Sequence, residues 1–248
     1  MQNLFRKFHE KDIELMEKIS ITPFYSGFWN RFRIDKAIRQ VAPRAHGVLL
    51  DVGCGIKPYQ KAFQPYVKHY IGLEYSPKTV YRGHKADIFG DAMNLPFADA
   101  SIDTILCTEV LEHLPRPWEA IAEFYRVLRP NGILIITAPF FFPIHDKLDF
   151  FRYTPKGISS LMKQNGLEVE EIKPLSGTGV TLALLFNLYW FEIGFMWTKW
   201  LYPFGIVLRP ILLLFCLIVN VFGWVLEKVL PSEHMSFNHL TVAKKNTK

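Results

Sequence analysis

Apolar and polar positions follow three rhythms along this chain. A spacing of three to four predicts helices over residues 4–19, where Phe5, Phe8, Ile13, Met16 and Ile19 stand among charges, and over 24–41, between Pro23 and Pro43. The same spacing predicts a third helix over 118–128, with Ile121, Phe124 and Leu128 on one side; Arg129-Pro130-Asn131-Gly132 stops it, Asn131 or Gly132 supplying a left-handed cap. Short runs bounded by turn formers predict strands over 48–52, 69–74, 101–107, 132–138 and 167–172, with a weaker candidate over 85–89. The run 132–138 is apolar almost throughout, as in a parallel strand covered on both faces. Strands alternating with helices predict an α/β protein with a doubly wound sheet. The third rhythm has no period: 180–197 is apolar apart from Asn187 and Glu192, and 210–226 carries no charge between Arg209 and Glu227-Lys228. Beyond it, 238–245 matches a seventh strand, antiparallel to the sixth.

The first strand runs into Asp51-Val52-Gly53-Cys54-Gly55. Two glycines spaced G-x-G let a backbone turn tightly and approach a ligand with no Cβ in the way. In an open α/β sheet a nucleotide-like ligand lies there, beyond the carboxyl end of the first strand. Glu74 ends the second strand about 20 residues later, where a carboxylate can accept from ribose hydroxyls. A strand-end acid is also a common surface residue, so Glu74 alone decides nothing.

Charge and cysteine content narrow the classes. The net charge of +6 comes from scattered basic residues, which argues against a nucleic-acid partner. Cys54, Cys107 and Cys216 have no metal-binding spacing and suit a reduced, cytosolic setting, and no metal is expected. Residues 1–18 lack the continuous apolar core of a secretory signal.

Six motifs follow in order: Asp51-Val52-Gly53-Cys54-Gly55, Glu74, Gly90-Asp91-Ala92-Met93-Asn94-Leu95-Pro96-Phe97, Ser101-Ile102-Asp103, Glu109-Val110-Leu111-Glu112-His113-Leu114 and Arg126-Val127-Leu128-Arg129-Pro130-Asn131-Gly132. In this order the chain resembles class I S-adenosylmethionine-dependent methyltransferases, most of all the ubiquinone-biosynthesis-type branch (methyltransferase domain type 11), over residues 49–171 and again over 240–245. The resemblance implies a Rossmann-like seven-stranded sheet, methyl transfer, and S-adenosylmethionine as cofactor. It implies that Asp51, Gly53, Cys54 and Gly55 line the turn and the methionine end, and that Glu74 holds the ribose. Asp91 and Ala92 would meet the adenine, and Thr108 and Glu109 would border the reacting methyl. Carboxylates in these places accept from hydroxyl, ammonium and amine donors and suit a cationic sulfonium ligand. Ile56-Lys57-Pro58 departs from the further glycine common in the family, which puts local loop contacts in question.

After the fifth strand, His145, Asp149 and Arg152-Tyr153-Thr154 match a subgroup of these enzymes and fall where the acceptor approaches. His145 can take a proton from an acceptor hydroxyl. Equally, His145, Asp149 and Arg152 can form a network that pins the loop, with Thr154 capping the next helix. His113 has the same two readings.

The two aperiodic segments approach the ~20 residues that span a bilayer, and Trp190, Trp197, Trp200, Tyr202 and Trp224 cluster near their ends as interfacial anchors do. Strands six and seven share one sheet, so the chain between them leaves and returns on one side. Asn187 and Glu192 oppose a full crossing, and Arg209-Pro210 breaks the connection. The expectation is an apolar hairpin embedded from the cytosolic face of a membrane, with the catalytic mouth toward the bilayer and a lipid or lipid-linked acceptor. The alternatives are a soluble homodimer that buries the hairpin, a non-catalytic membrane-bound binding module, and a nicotinamide dehydrogenase, against which the missing G-x-G-x-x-G argues. The expected organisation is N-terminal helices over 1–43, a cofactor-binding core over 44–177, the membrane-associating insert over 178–231, and the last strand and tail over 232–248.

Overall fold

The structure, a computed structural model, describes residues 21–75, 85–200 and 205–246. The helix expected over 4–19 lies outside them. The chain forms two compact units: residues up to Arg33 with Ser176–Ser236, and Ile34–Leu175 with Phe237–Lys248.

The larger unit is built on a seven-stranded sheet in the order β3-β2-β1-β4-β5-β7-β6. Its strands are β1 (Val48–Val52), β2 (His69–Glu74), β3 (Ile88–Phe89), β4 (Ile102–Thr108), β5 (Leu128–Pro139), β6 (Leu167–Pro174) and β7 (Asn238–Lys245). Pairing is parallel from β3 through β5, and β7 runs antiparallel between β5 and β6. This is the Rossmann-like, doubly wound sheet the alternation predicts. The helices belonging to it are α1 (Phe28–Val41, from Ile34 onward), the single turn α2 (Gln60–Phe63), α3 (Pro117–Val127) and α4 (Pro155–Gln164). Central strands are covered on both faces, and Leu49, Leu50, Ile105, Leu106, Ile135 and Ile136 are all buried. That explains why they read as unbroken apolar runs instead of alternating ones. Ile121, Phe124 and Val127 of α3 pack into the same core.

The stop after α3 differs from the expected cap. The helix passes straight into β5: Leu128 is already extended (φ −65°, ψ 135°) and bonds back to Phe124 O. Asn131, at φ +66°, takes the left-handed conformation three residues further on, inside the strand. There β5 bulges against β4, the register slipping between Ile102 and Thr104. Asn tolerates this conformation better than most residues, so the residue was right and its place in the fold was not.

The smaller unit contains α5 (Thr178–Trp200) and α6 (Gly205–Val229), the apolar insert between the last two strands. The helices pack antiparallel and close: a Cβ on Gly223 would come within 2.3 Å of the Ala183 Cβ, and one on Gly194 within 2.8 Å of Leu212. Pro210 lies inside α6 and does not break the hairpin as expected. It removes one backbone donor near the helix start, a loss the following turns absorb. Asn187, one of the two polar exceptions in the first apolar segment, faces inward. It is fully buried and donates to Asn220 Oδ1 (3.0 Å) and Cys216 O (3.2 Å), and Asn220 Nδ2 in turn donates to Pro23 O at 2.7 Å. This amide pair fastens the segment before α1 to the hairpin. Glu227, near the end of α6, accepts from Arg33 and from Gly177 N, both at 2.8 Å.

Candidate active site at the carboxyl edge of the sheet

At the end of β1 the chain turns through Gly53 (φ +70°) and Gly55 (φ +50°), a region glycine enters at no steric cost. The turn is also crowded: Gly53 N donates to Leu73 O at 2.8 Å, and a Cβ on Gly53 would stand 2.3 Å from the Val110 side chain. Gly55 N donates to Glu74 Oε1 at 2.5 Å. Glu74 therefore closes the turn with one carboxylate oxygen and keeps another. Cys54 is buried between them, and desolvation pushes its thiol up to about 12, so it contributes bulk and not a nucleophile.

Asp51 is 1% exposed. The Tyr70 hydroxyl donates to its Oδ2, and its Oδ1 is buried with no hydrogen-bond partner. Burial pushes its pKa up to about 7, against the Tyr70 bond that lowers it and with the nearby Glu74 charge that raises it. A buried carboxyl with one unanswered oxygen suits a cationic or donor group brought by a ligand. The amino-acid end of S-adenosylmethionine is such a group, and the glycine turn leaves backbone exposed beside it, so the residues present fit this cofactor.

Beyond β3, Asp91 is shaped by its own turn: Oδ1 accepts from Met93 N at 2.8 Å. Ala92 beside it is buried. The segment that follows is tied down by Arg126 of α3, which donates to Leu95 O, Phe97 O and the carboxylates of Glu123 and Asp99. This gives the Arg126 motif a structural meaning, since it fixes the strip that begins at Asp91.

Thr108 ends β4, and Glu109 follows at φ +53°, an uncommon conformation for a non-glycine residue. Its carboxylate is over-determined: Thr137 Oγ1 donates to Oε1 at 2.7 Å, and Asn238 Nδ2 donates to both oxygens at 2.7 and 2.8 Å. Desolvation raises its pKa against these bonds. Sequence reasoning missed Thr137, Asn238 and Tyr70. The signal for Asn238 was present: an antiparallel last strand begins at the edge where its parallel neighbour ends, and Asn238 pairs with Pro139.

The loop after β5 holds the expected network. Arg152 grips the Asp149 carboxylate with two nitrogens and donates to Phe142 O and Pro143 O, both at 2.8 Å. This ion pair holds Asp149 down to about 2. His145 N donates to Asp149 Oδ2 at 3.1 Å, and its Nδ1 lies at the same distance from that oxygen. Thr154 caps α4 by accepting from Gly157 N at 3.0 Å. His113, ending a 3-10 turn over Leu111–His113, sets its ring 5.1 Å from that of exposed His145. Between them Glu112 is fully buried, and neither of its oxygens has a hydrogen-bond partner. Desolvation first, then the charge of Glu109, pushes it up to about 8.

Known proteins point the same way. Residues 50–136 match the model of a family described as a methyltransferase domain. An uncharacterized methyltransferase of Mycobacterium marinum is 40% identical over 96 residues, covering 36% of this chain and 38% of the relative. One of Mycobacterium leprae is 36% identical over 103 residues, covering 39% and 38%. The chain thus spans 38% of the length of these curated relatives. Among solved structures, a SAM-dependent methyltransferase from Archaeoglobus fulgidus has a TM-score of 0.54 at 15% identity, over 86% of this chain and 93% of that one. The cyclase SpnF has a TM-score of 0.56 at 19% identity, over 86% and 81%. At such identities the structural likeness speaks for the fold alone. Residues 50–136 are similar to the methyltransferase domain family.

Proposed function

We propose that the chain transfers a methyl group from S-adenosylmethionine to a lipid or lipid-linked acceptor at the cytosolic face of a membrane. The observation that carries methyl transfer is the convergence of Asp51, the Gly53–Gly55 turn, Glu74 and Glu109 at the carboxyl ends of β1, β2 and β4. When bound, the cofactor supplies a methyl group on a cationic sulfur. Asp51 receives its amino group, the second Glu74 oxygen its ribose hydroxyls, and Asp91 with Ala92 its adenine. Thr108 and Glu109 border the methyl, Glu109 with its carboxylate fixed by Thr137 and Asn238. Transfer between two held groups needs proximity and alignment above all. His145 is assigned to the acceptor: Nδ1 is occupied by Asp149, so Nε2 is the atom through which it acts on an acceptor hydroxyl.

The membrane reading rests on the insert. Ile211, Leu214, Ile218, Phe222, Val225 and Val229 follow one another at helical spacing along α6 and are 42–68% exposed. Residues Leu208–Val229 are long and apolar enough to cross a membrane by length and composition. Asn187 donates inward to Asn220, while the Glu192 charge in the first segment still opposes a full crossing and favours an embedded hairpin. The test compares the intact chain with one whose residues 180–229 are replaced by a short polar linker. The intact chain pellets with membranes and resists high salt, because the attachment is apolar and not Coulombic. Methyl-labelled cofactor added to membranes with the enzyme then labels a lipid-extractable product. An intact chain that stays soluble without detergent would mean that the stripe covers a second copy, and would remove the lipid acceptor with it.

A further inference from the structure

Glu112, His113 and His145 bring three metal-ligating side chains together, with one ligand atom from each lying within 4.8 Å of the other two. Two further observations point to a ligand. Glu112 is 0% exposed, yet both its carboxylate oxygens lack a hydrogen-bond partner. The one guanidinium in this loop, Arg152, is already committed to Asp149 and to backbone carbonyls. Second, each imidazole is oriented by its Nδ1. That of His113 lies 2.7 Å from Leu148 O, and that of His145 lies 3.1 Å from Asp149 Oδ2. A carbonyl or carboxylate on one ring nitrogen is the arrangement that fixes the tautomer and aims the other nitrogen at a metal.

We propose that Glu112, His113 and His145 bind one divalent transition-metal ion of the zinc class. Two imidazoles and a carboxylate suit such an ion better than magnesium or calcium, which take oxygen ligands. Bonds of about 2 Å require the three groups to draw together. The buried carboxylate, whose Oε1 lies 3.7 Å from His113 Nε2 without a hydrogen bond, gains a direct ligand bond, and the exposed side, where His145 stands, is left open to a further ligand. On the reading of His145 as an acceptor-side residue, that ligand would be the acceptor oxygen, whose hydroxyl the ion would acidify, with His145 Nε2 holding the ion in place of taking the proton itself. Only this last step rests on the proposed function.

The test titrates Co(II) into the full-length chain in detergent after chelator treatment. The expected result is one equivalent bound, with visible absorption bands that Zn(II) abolishes. His145→Ala and Glu112→Gln each weaken Co(II) binding by at least tenfold, and His69→Ala, at an exposed histidine outside the cluster, leaves it unchanged. S-adenosylmethionine titration of the same variants reports that the core has folded. Absence of a saturable equivalent overturns the proposal, and so does a His145→Ala chain that binds both Co(II) and cofactor like the parent. A chain that takes up Co(II) through these residues but binds no cofactor leaves the site standing and overturns the proposed function.

Discussion

Asp51 turns the cost of a buried carboxyl into a measurable pH dependence. In the unfolded chain its pKa is 3.8, and in the fold it is about 7. Between these values the native state holds a proton that the unfolded state has released, so stability falls as pH rises. The slope is about 1.4 kcal/mol per pH unit, and the full span costs roughly 4 kcal/mol, complete once pH passes the folded value. Asp51→Asn has nearly the same shape and cannot ionise. Its amide can still accept from Tyr70, so the two proteins should have similar stability only below about pH 4, where Asp51 is neutral in both states; at pH 5, where the unfolded carboxyl has ionised, the variant should already be ahead by about 1.6 kcal/mol. By pH 8 the variant should be the more stable by about 4 kcal/mol. Equilibrium denaturation at several pH values, followed by tryptophan fluorescence, reads this directly. Glu112 and Glu109 shift in the same direction but occur in both proteins, so they cancel in the difference. A difference that does not change with pH would refute the argument, because it would mean that Asp51 is charged in the fold at every pH tested.

Four other outcomes are expected. Cofactor binding to the parent should tighten as pH rises through about 7 and release a proton, seen as a buffer-dependent heat in calorimetry, whereas Asp51→Asn should bind weakly at every pH. Glu74→Ala should weaken binding by about 1–3 kcal/mol, the cost of stripping acceptors from ribose hydroxyls; an unchanged titration would remove that assignment. Asn238→Leu leaves the Glu109 carboxylate with Thr137 alone and should cost about 2–3 kcal/mol in thermal or chemical unfolding, in line with a charged hydrogen bond lost from a desolvated site. His145→Ala should lower turnover with the true acceptor while cofactor affinity stays close to that of the parent, and turnover at the parent rate would leave His145 with its loop-pinning contacts only.

What the sequence discloses and what it hides divide along physical lines. The bounds of β1, β2 and β7 and the core face of α3 were legible because period and flanking turn residues are local properties. Gly53, Gly55 and Glu74 were legible because a tight turn and an acid at a fixed distance leave a mark in a single stretch of chain. The Tyr70 bond to Asp51 and the Asn238 clamp on Glu109 were not. Each depends on the register of two strands, and the Asn238 clamp joins residues 129 positions apart. The burial of Asn187 against Asn220 was hidden as well, because it joins residues of two helices 33 positions apart in sequence. Proline misled at Pro210, because an apolar helix held along its length by a partner tolerates one missing donor.

The placement of β7 between β5 and β6 sets an order of events during synthesis. When β6 leaves the ribosome it has no strand to pair with, and the outer edge of β5 stays open until residues 238–245 arrive. At about 5–20 residues per second the intervening chain takes roughly 3–13 s to make. During that interval two unpaired strand edges and the most apolar helices of the chain coexist, the combination most prone to aggregate. If the helices meet a bilayer in that window they are sheltered before the sheet closes, so delivery to a membrane would act as a folding aid. A chain released in the absence of membranes would depend on chaperones to reach the same sheet.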